Sequence, residues 1–319
     1  MQINLRELAK RAGVSVGTVS RALKGQAGVS AALRETIMAL AIEHNYQSER
    51  LQHSPIRHIL LVLHRQHATG SARLFYDAII AGAHAASLEL GIQLSTLIPD
   101  PAGSLRRQIK THAPDAILCL GYIEPPILQL IQGLGKPLVL IDNAVLGINA
   151  INPDNLAGAR LAMQHLLVQG YQRIAFLSGS LAHYSIRQRE RGYRQALFDA
   201  NRLADPALEV LIPPELSLQQ GAIAALDSLL ALPKPPDALF CFNDICAVIV
   251  KEECLRRGIK IPVDLALIGF DDIAIAAHQD ISTIAINKAA LGRSAVLGLL
   301  SPQPSEVLQS VELIIRASS

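Results

Sequence analysis

Polar residues sit directly behind three apolar runs and in the segment after a fourth, and their side-chain types suit the recognition of a small polar molecule. Asp142 follows the run 138–141. Asn243 and Asp244 follow 238–242, and Asp271 and Asp272 follow 265–270. Arg189 lies in the segment 184–192, behind the run 174–178. Asp142 and Asp271 offer acceptors, Arg189 a planar fork of donors, and Asn243 both. That mixture matches a polyhydroxylated ligand. Phe75 and Tyr76, at the start of a helical stretch, are candidate ring walls, with core packing an equal alternative for Phe75. Helix capping by Asn243 and the aspartates, with Arg189 balancing their charge, explains the same residues without a ligand. Arg65, His67 and Arg73 follow the first apolar run and suit a phosphorylated or acidic ligand, or else a solvated loop.

A second group lies near the N-terminus. Leu5, Leu8, Ala9 and Ala12 recur at helical spacing up to Gly13, and Ser15 then caps a second short helix carrying Val19 and Leu23. Two short helices joined by a glycine-containing turn make a helix-turn-helix. Ser30 caps a third helix through about residue 44, whose stripe of Leu33, Ile37, Leu40 and Ala41 closes a small core. In such a motif the second helix enters the major groove with its early residues at the base edges. Val16, Gly17 and Arg21 are the candidate base contacts, Arg21 toward guanine and Val16 toward a thymine methyl. Ser15, Thr18, Ser20 and Ser30 carry small hydroxyls suited to phosphate oxygens. A plain three-helix bundle with capping serines uses the same residues.

These side chains need a scaffold that gathers strand ends. Apolar runs at 59–63, 92–98, 116–120, 138–141, 174–178, 208–212, 238–242 and 265–270 alternate with helical stretches such as 75–90 and 155–169, closed by Gly91 and Gly170. Near-continuous apolar strands between helices predict parallel sheets covered on both faces. The β-α order repeats twice, predicting two doubly wound lobes, which bind ligands outside the carboxyl ends of their strands. The segment 311–316 reads as a closing strand. No heptad helix follows it, so a dimer is expected rather than a tetramer made by that route.

Charge and composition narrow the function. Residues 1–58 carry eight Lys/Arg against four Asp/Glu, a surplus of +4 in a chain whose net charge is +2. A basic head on a slightly acidic body suits a polyanionic partner. Cys119, Cys241, Cys246 and Cys254 include no CxxC pair, so no metal is expected, and the thiols read as reduced core residues of a cytosolic protein. The N-terminal stretch lacks the apolar core of a signal peptide, and no uncharged run of 18 apolar residues predicts a membrane span. GxGxxG after a strand, GxxxxGK and HExxH are absent, and the GxSxG string at Gly13–Gly17 lies in the helix-turn-helix with no strand before it, so no enzyme and no cofactor are expected.

The string Arg6-Glu7-Leu8-Ala9-Lys10-Arg11-Ala12-Gly13-Val14-Ser15, followed by Thr18-Val19-Ser20-Arg21-Ala22-Leu23 and Val29-Ser30, resembles the head of the lactose-repressor/galactose-repressor (LacI) family. In the body, Asp154-Asn155, Arg173–Phe176, Arg189 with Gly192-Tyr193, Asn243-Asp244 and Gly269–Asp272 match the same family at matching intervals. The resemblance implies an all-α helix-turn-helix head (1–46), a hinge linker (47–58) and an α/β two-lobed, periplasmic-binding-protein-like body (59–319). Lobe 1 is then about 59–150 plus 287–301, and lobe 2 about 151–286 plus 302–319. It implies a cytoplasmic, homodimeric transcriptional regulator, most readily a repressor. Its partners are operator DNA and an effector, a sugar or sugar phosphate bound between the lobes near Arg189, Asn243 and Asp271, with no membrane. A regulator that senses no ligand and a solute-binding protein are the alternatives. Three features depart from the family. Lys24 stands where Asn is usual, and Gly17 leaves a specificity position bare. Leu51, placed like the leucine that wedges into the minor groove, lies only five residues after Tyr46. The linker is thus about one helical turn, or ~6 Å, short of the family pattern.

Overall fold

Short apolar runs without a polar face suit strands covered on both sides, and they form such strands here. The computed structural model describes residues 5–23, 28–43, 56–68, 70, 72–301 and 305–319. Their strands are β1 (His58–Leu63), β2 (Gln93–Leu97), β3 (Ala116–Leu120), β4 (Leu138–Ile141), β5 (Asn149–Pro153), β6 (Ile174–Ser178), β7 (Glu209–Leu211), β8 (Ala238–Cys241), β9 (Ala266–Ile268), β10 (Thr283–Ala285), β11 (Glu306–Gln309) and β12 (Glu312–Ile314). The chain divides into two units, Met1–Ile151 with Lys288–Val307 and Asn152–Asn287 with Leu308–Ser319.

In the first unit the head's helices, Leu5–Arg11, Val16–Leu23 and Ala31–Glu43, close over Leu8, Ala9, Val19, Ala22, Ile37 and Ala41. The sheet of this unit runs β11-β5-β4-β3-β1-β2, parallel from β5 through β2. Leu60, Val62, Ile117, Cys119 and Leu140 pack on one side with Ile109, Leu128 and Ile131 of the covering helices. Full burial of each such aliphatic side chain contributes roughly 1.5–3 kcal/mol. Two further helices, Ala72–Glu89 and Lys288–Gly298, meet through glycine. A Cβ on Gly82 would overlap the Ala289 carbonyl, and one on Gly292 would overlap the Ile79 carbonyl.

The second unit holds a parallel sheet, β7-β6-β8-β9, and an antiparallel ribbon, β10-β12. Its core stacks aromatic rings, with Phe176 5.4 Å from Tyr193 and 5.2 Å from Phe240.

Several strands end earlier than their apolar runs. Leu208 belongs to a short 3-10 turn, Pro206–Leu208, capped by Asp205, so β7 starts at Glu209. Gly269 and Phe270 leave β9, and the Gly269 N–H donates instead to the carbonyl of Ser282. Only Glu312–Ile314 of the closing segment pairs, with β10. β5, β10 and β11 escape the hydrophobic pattern: β5 reads Asn-Ala-Ile-Asn-Pro, with residue types depleted in strands. All four cysteines are free and buried. Among the described residues no helix is long and apolar enough to cross a membrane.

Candidate functional site

The second helix of the head is held by local hydrogen bonds that leave one face open. Ser15 Oγ accepts the Thr18 N–H at 3.0 Å and lies 2.9 Å from the Thr18 hydroxyl, so the two hydroxyls start the helix together. Ser30 Oγ accepts from the Leu33 N–H at 3.3 Å in the same way. Val19 and Ala22 point into the mini-core, while Val16, Gly17 and Arg21 are exposed and Ser20 is half-buried. Arg21 Nε donates back to the Gly17 carbonyl at 3.4 Å. A Cβ on Gly17 would meet only Ser15 Oγ, at 3.7 Å, so the fold does not require glycine there. Leu51 lies outside the described residues, as does Lys24.

In the second unit the strand ends converge on one guanidinium. Arg189, in the helix Tyr184–Asp199, is 4% exposed. Its Nε donates to Asn155 Oδ1 at 2.9 Å. One Nη donates to the Phe242 carbonyl at 2.5 Å and the other to Asp271 Oδ1 at 2.9 Å. Its Cζ stands 3.7 Å from the centroid of the Phe270 ring, a cation–π stack. Asn155 is fixed by donating to the Pro153 carbonyl. Asn243 caps the helix Asp244–Arg256 by accepting from the Cys246 N–H. The structure therefore brings Arg189 and Asp271 into contact, places Asn243 next to the carbonyl that Arg189 holds, and adds Asn155 and Phe270 to the group.

Asp244 supports this cluster from inside. Its carboxyl group accepts from the Ile273 N–H at 2.9 Å and from the Thr283 hydroxyl at 2.5 Å. Burial, reinforced by the Asp271 charge, pushes its carboxyl up to about 8. A Cβ on Gly269 would collide with Asp244 Oδ1, so this crossing needs glycine. Asp271 and Asp272 both take positive φ, 109° and 47°, and Asp272 is anchored by Arg316 at 2.7 Å. Non-glycine residues in such conformations cost about 1–3 kcal/mol each and collect at binding sites.

The first unit has its own strand-end cluster. Asp142, at φ 57°, accepts from the Tyr76 hydroxyl at 2.7 Å. The Tyr76 ring lies 4.7 Å from His67 and 5.1 Å from Phe75, both buried. His67 Nε2 accepts the Tyr122 N–H at 3.1 Å, which puts the proton of the neutral ring on Nδ1. Gly121, at φ 79°, leaves room for both rings, since a Cβ would strike His67 and the Tyr76 hydroxyl. His64 meets Glu124 at 2.9 Å beside Tyr122. Arg65 is exposed, and Arg73 pairs with Asp77 of its own helix at 3.1 Å.

Sequence reasoning passed over Asn155, Phe270 and Tyr122 as site residues. Asn155 carries the signal that marks Asn243, a polar residue behind a strand, but its strand is the polar β5. Tyr122 is hidden by the intervening Gly121.

A helix-turn-helix with an open recognition face, joined to two parallel α/β units with polar strand ends, defines a DNA-binding transcriptional regulator with a ligand-binding type of body. Residues 4–49 match the family model described as bacterial regulatory proteins, lacI family, and residues 163–319 match that of a periplasmic binding protein-like domain. The chain is 30% identical to the HTH-type transcriptional repressor CytR of Escherichia coli K12, over 99% of this chain and 96% of that one. It is 28% identical to the ribose operon repressor of Haemophilus influenzae, over 93% and 90% of the two chains. Among solved structures it is similar to the transcriptional regulator CelR–cellobiose complex, with TM-score 0.75, 25% identity and full coverage of both chains. The lac repressor dimer bound to operator and the anti-inducer ONPF shares the fold, with TM-score 0.70 at 22% identity over 100% and 99% of the chains. The chain belongs to the lacI family of bacterial regulatory proteins. Its relatives are regulators, not enzymes.

Proposed function

We propose that this chain is a cytoplasmic, homodimeric repressor whose operator affinity is set by a sugar or sugar phosphate. Arg189, Asn243 and Asp271 are its principal effector contacts, with Asp142, Phe75 and Tyr76 as further candidate contacts. The observation that carries this reading is the buried Arg189–Asp271 pair, stacked on Phe270 at the ends of the second unit's strands. Acceptors and donors held this rigidly suit neighbouring hydroxyls, and the similar CelR was solved with cellobiose. Ser15, Val16, Gly17, Thr18, Ser20, Arg21 and Ser30 contact the operator, with Leu51 as the minor-groove wedge. A dimer follows from the paired half-sites that helix-turn-helix proteins read. The effector acts by its different affinity for the DNA-bound and DNA-free states, and operator affinity shifts by that difference.

Thermal melting of the full chain against a panel of sugars and sugar phosphates tests the effector. A compound bound at 100 times its Kd raises stability by about 2.7 kcal/mol, a readily measured shift. A flat panel with intact operator binding would favour a regulator that senses none of these compounds.

A further inference from the structure

The edge where the linker enters the first unit carries more cations than carboxylates. Arg57 immediately precedes β1, Asp115 precedes β3, and Lys136 lies two residues before β4. These three strands are neighbours, in the order β4-β3-β1, with Ile59 aligned to Ala116 and Ile117 to Leu138. Their starting ends therefore share one edge of the sheet. Lys110 reaches the same end from the last turn of the helix Leu105–His112, which leads into β3. Several arginines elsewhere in the body pair with acids, among them Arg160 with Asp199, Arg194 with Glu209, Arg257 with Asp227 and Arg293 with Glu89. Arg57, Lys110 and Lys136 are exposed and, among the described residues, enter no ion pair.

The one acid in the group is already used. Asp115 Oδ2 accepts the backbone N–H of Arg57 at 2.8 Å and of His58 at 3.0 Å. Its carboxyl is lowered by the Arg57 hydrogen bond first, and the Lys136 charge lowers it further. It fixes the start of β1 and leaves three cations against one carboxylate. This edge is also tethered to the DNA-reading head: only residues 44–55 separate the third head helix from Ile56. Twelve residues span at most about 40 Å when fully extended. A duplex held by the head is therefore the nearest polyanion to this edge.

We infer that Arg57, Lys110 and Lys136 form a second DNA-contacting surface, on the body, that meets the phosphate backbone of the duplex read by the head. The inference rests on the DNA-binding function of the head. Contacts of this kind carry no base information, so they strengthen operator and random DNA alike. Each neutralised phosphate releases counterions and steepens the salt dependence of binding by about 0.9.

The test compares the full chain with the triple variant Arg57→Gln, Lys110→Gln, Lys136→Gln. Binding to the DNA upstream of its own gene and to a random duplex of equal length is measured across a salt series. A control triple, Arg191→Gln, Lys234→Gln, Lys260→Gln, removes three exposed cations from the second unit. The expected result is a log K versus log salt slope shallower by about 2–3 per protomer, about 5 for the bound homodimer, for the edge variant on both duplexes. The ratio of specific to random binding stays the same, and the control slope is that of the parent. An unchanged slope, or one changed equally by the control triple, overturns the inference. Loss of all binding by the unmodified chain would instead count against the head. Melting temperatures confirm folding; should the triple variant melt early, the single variants, each expected to remove about 0.9 per protomer, give the same test.

Discussion

The guanidinium of Arg189 lies 2.9 Å from Asp271 Oδ1 and at the same time 3.7 Å above the Phe270 ring. One side chain thus links the helix after β6 to the loop after β9, while its Nε holds Asn155 at the end of β5. Arg189→Ala strands a buried carboxylate and should cost about 3–5 kcal/mol of stability in urea unfolding. Arg189→Lys keeps the charge but loses the planar fork, so it should fall between that variant and the parent and lose the melting shift given by an effector.

Asp244 makes stability depend on pH in an unusual direction. Its carboxyl is raised to about 8 in the folded chain, against about 3.9 when unfolded. The folded state binds the extra proton between these values, so this contribution is complete below about pH 4 and is lost as pH rises to about 8. Asp244→Asn, with its amide toward Thr283 and its carbonyl toward the Ile273 N–H, should flatten that decline. Melting curves from pH 5 to 9 on both proteins check it; equal slopes would count against the assignment.

The helices Ala72–Glu89 and Lys288–Gly298 touch backbone to backbone at Gly82 and Gly292. Alanine normally stabilises a helix interior relative to glycine. Here the added methyl group meets a carbonyl that cannot rotate away. Gly82→Ala and Gly292→Ala should each destabilise the first unit, by about 1–3 kcal/mol. A stabilised variant in chemical denaturation would contradict the close packing.

Gly17 should behave in the opposite way. It lies in an exposed helix with room for a Cβ, so Gly17→Ala should stabilise the head by roughly 0.5–1 kcal/mol. Arg21→Ala should weaken operator binding by about 1–3 kcal/mol and leave random DNA nearly unaffected. Competition binding against random duplex separates the two effects.

The sequence disclosed whatever depends on apolar periodicity. Runs such as Ile174–Ser178 and Ala116–Leu120 are strands because every side chain in them is buried. Asp142, Asn243 and Asp271 were legible because a polar residue behind such a run must lie at a strand end. β5 was not, since its Asn and Pro conceal a strand whose neighbours supply the burial. The Gly82–Gly292 contact was invisible for a different reason: each glycine has its meaning only opposite a carbonyl more than 200 residues away in the chain. Asn155 was named in the family pattern, but its bond to Arg189 spans 34 residues and follows from tertiary packing.

The most direct measurement is operator binding by the full chain, using DNA upstream of its own gene at two salt concentrations, with and without each sugar and sugar phosphate of the panel. Tight, salt-sensitive binding that at least one compound shifts, with the shift abolished by Arg189→Lys, is the expected result. Binding that is indifferent to sequence and to every compound would contradict effector-gated regulation by these ligands.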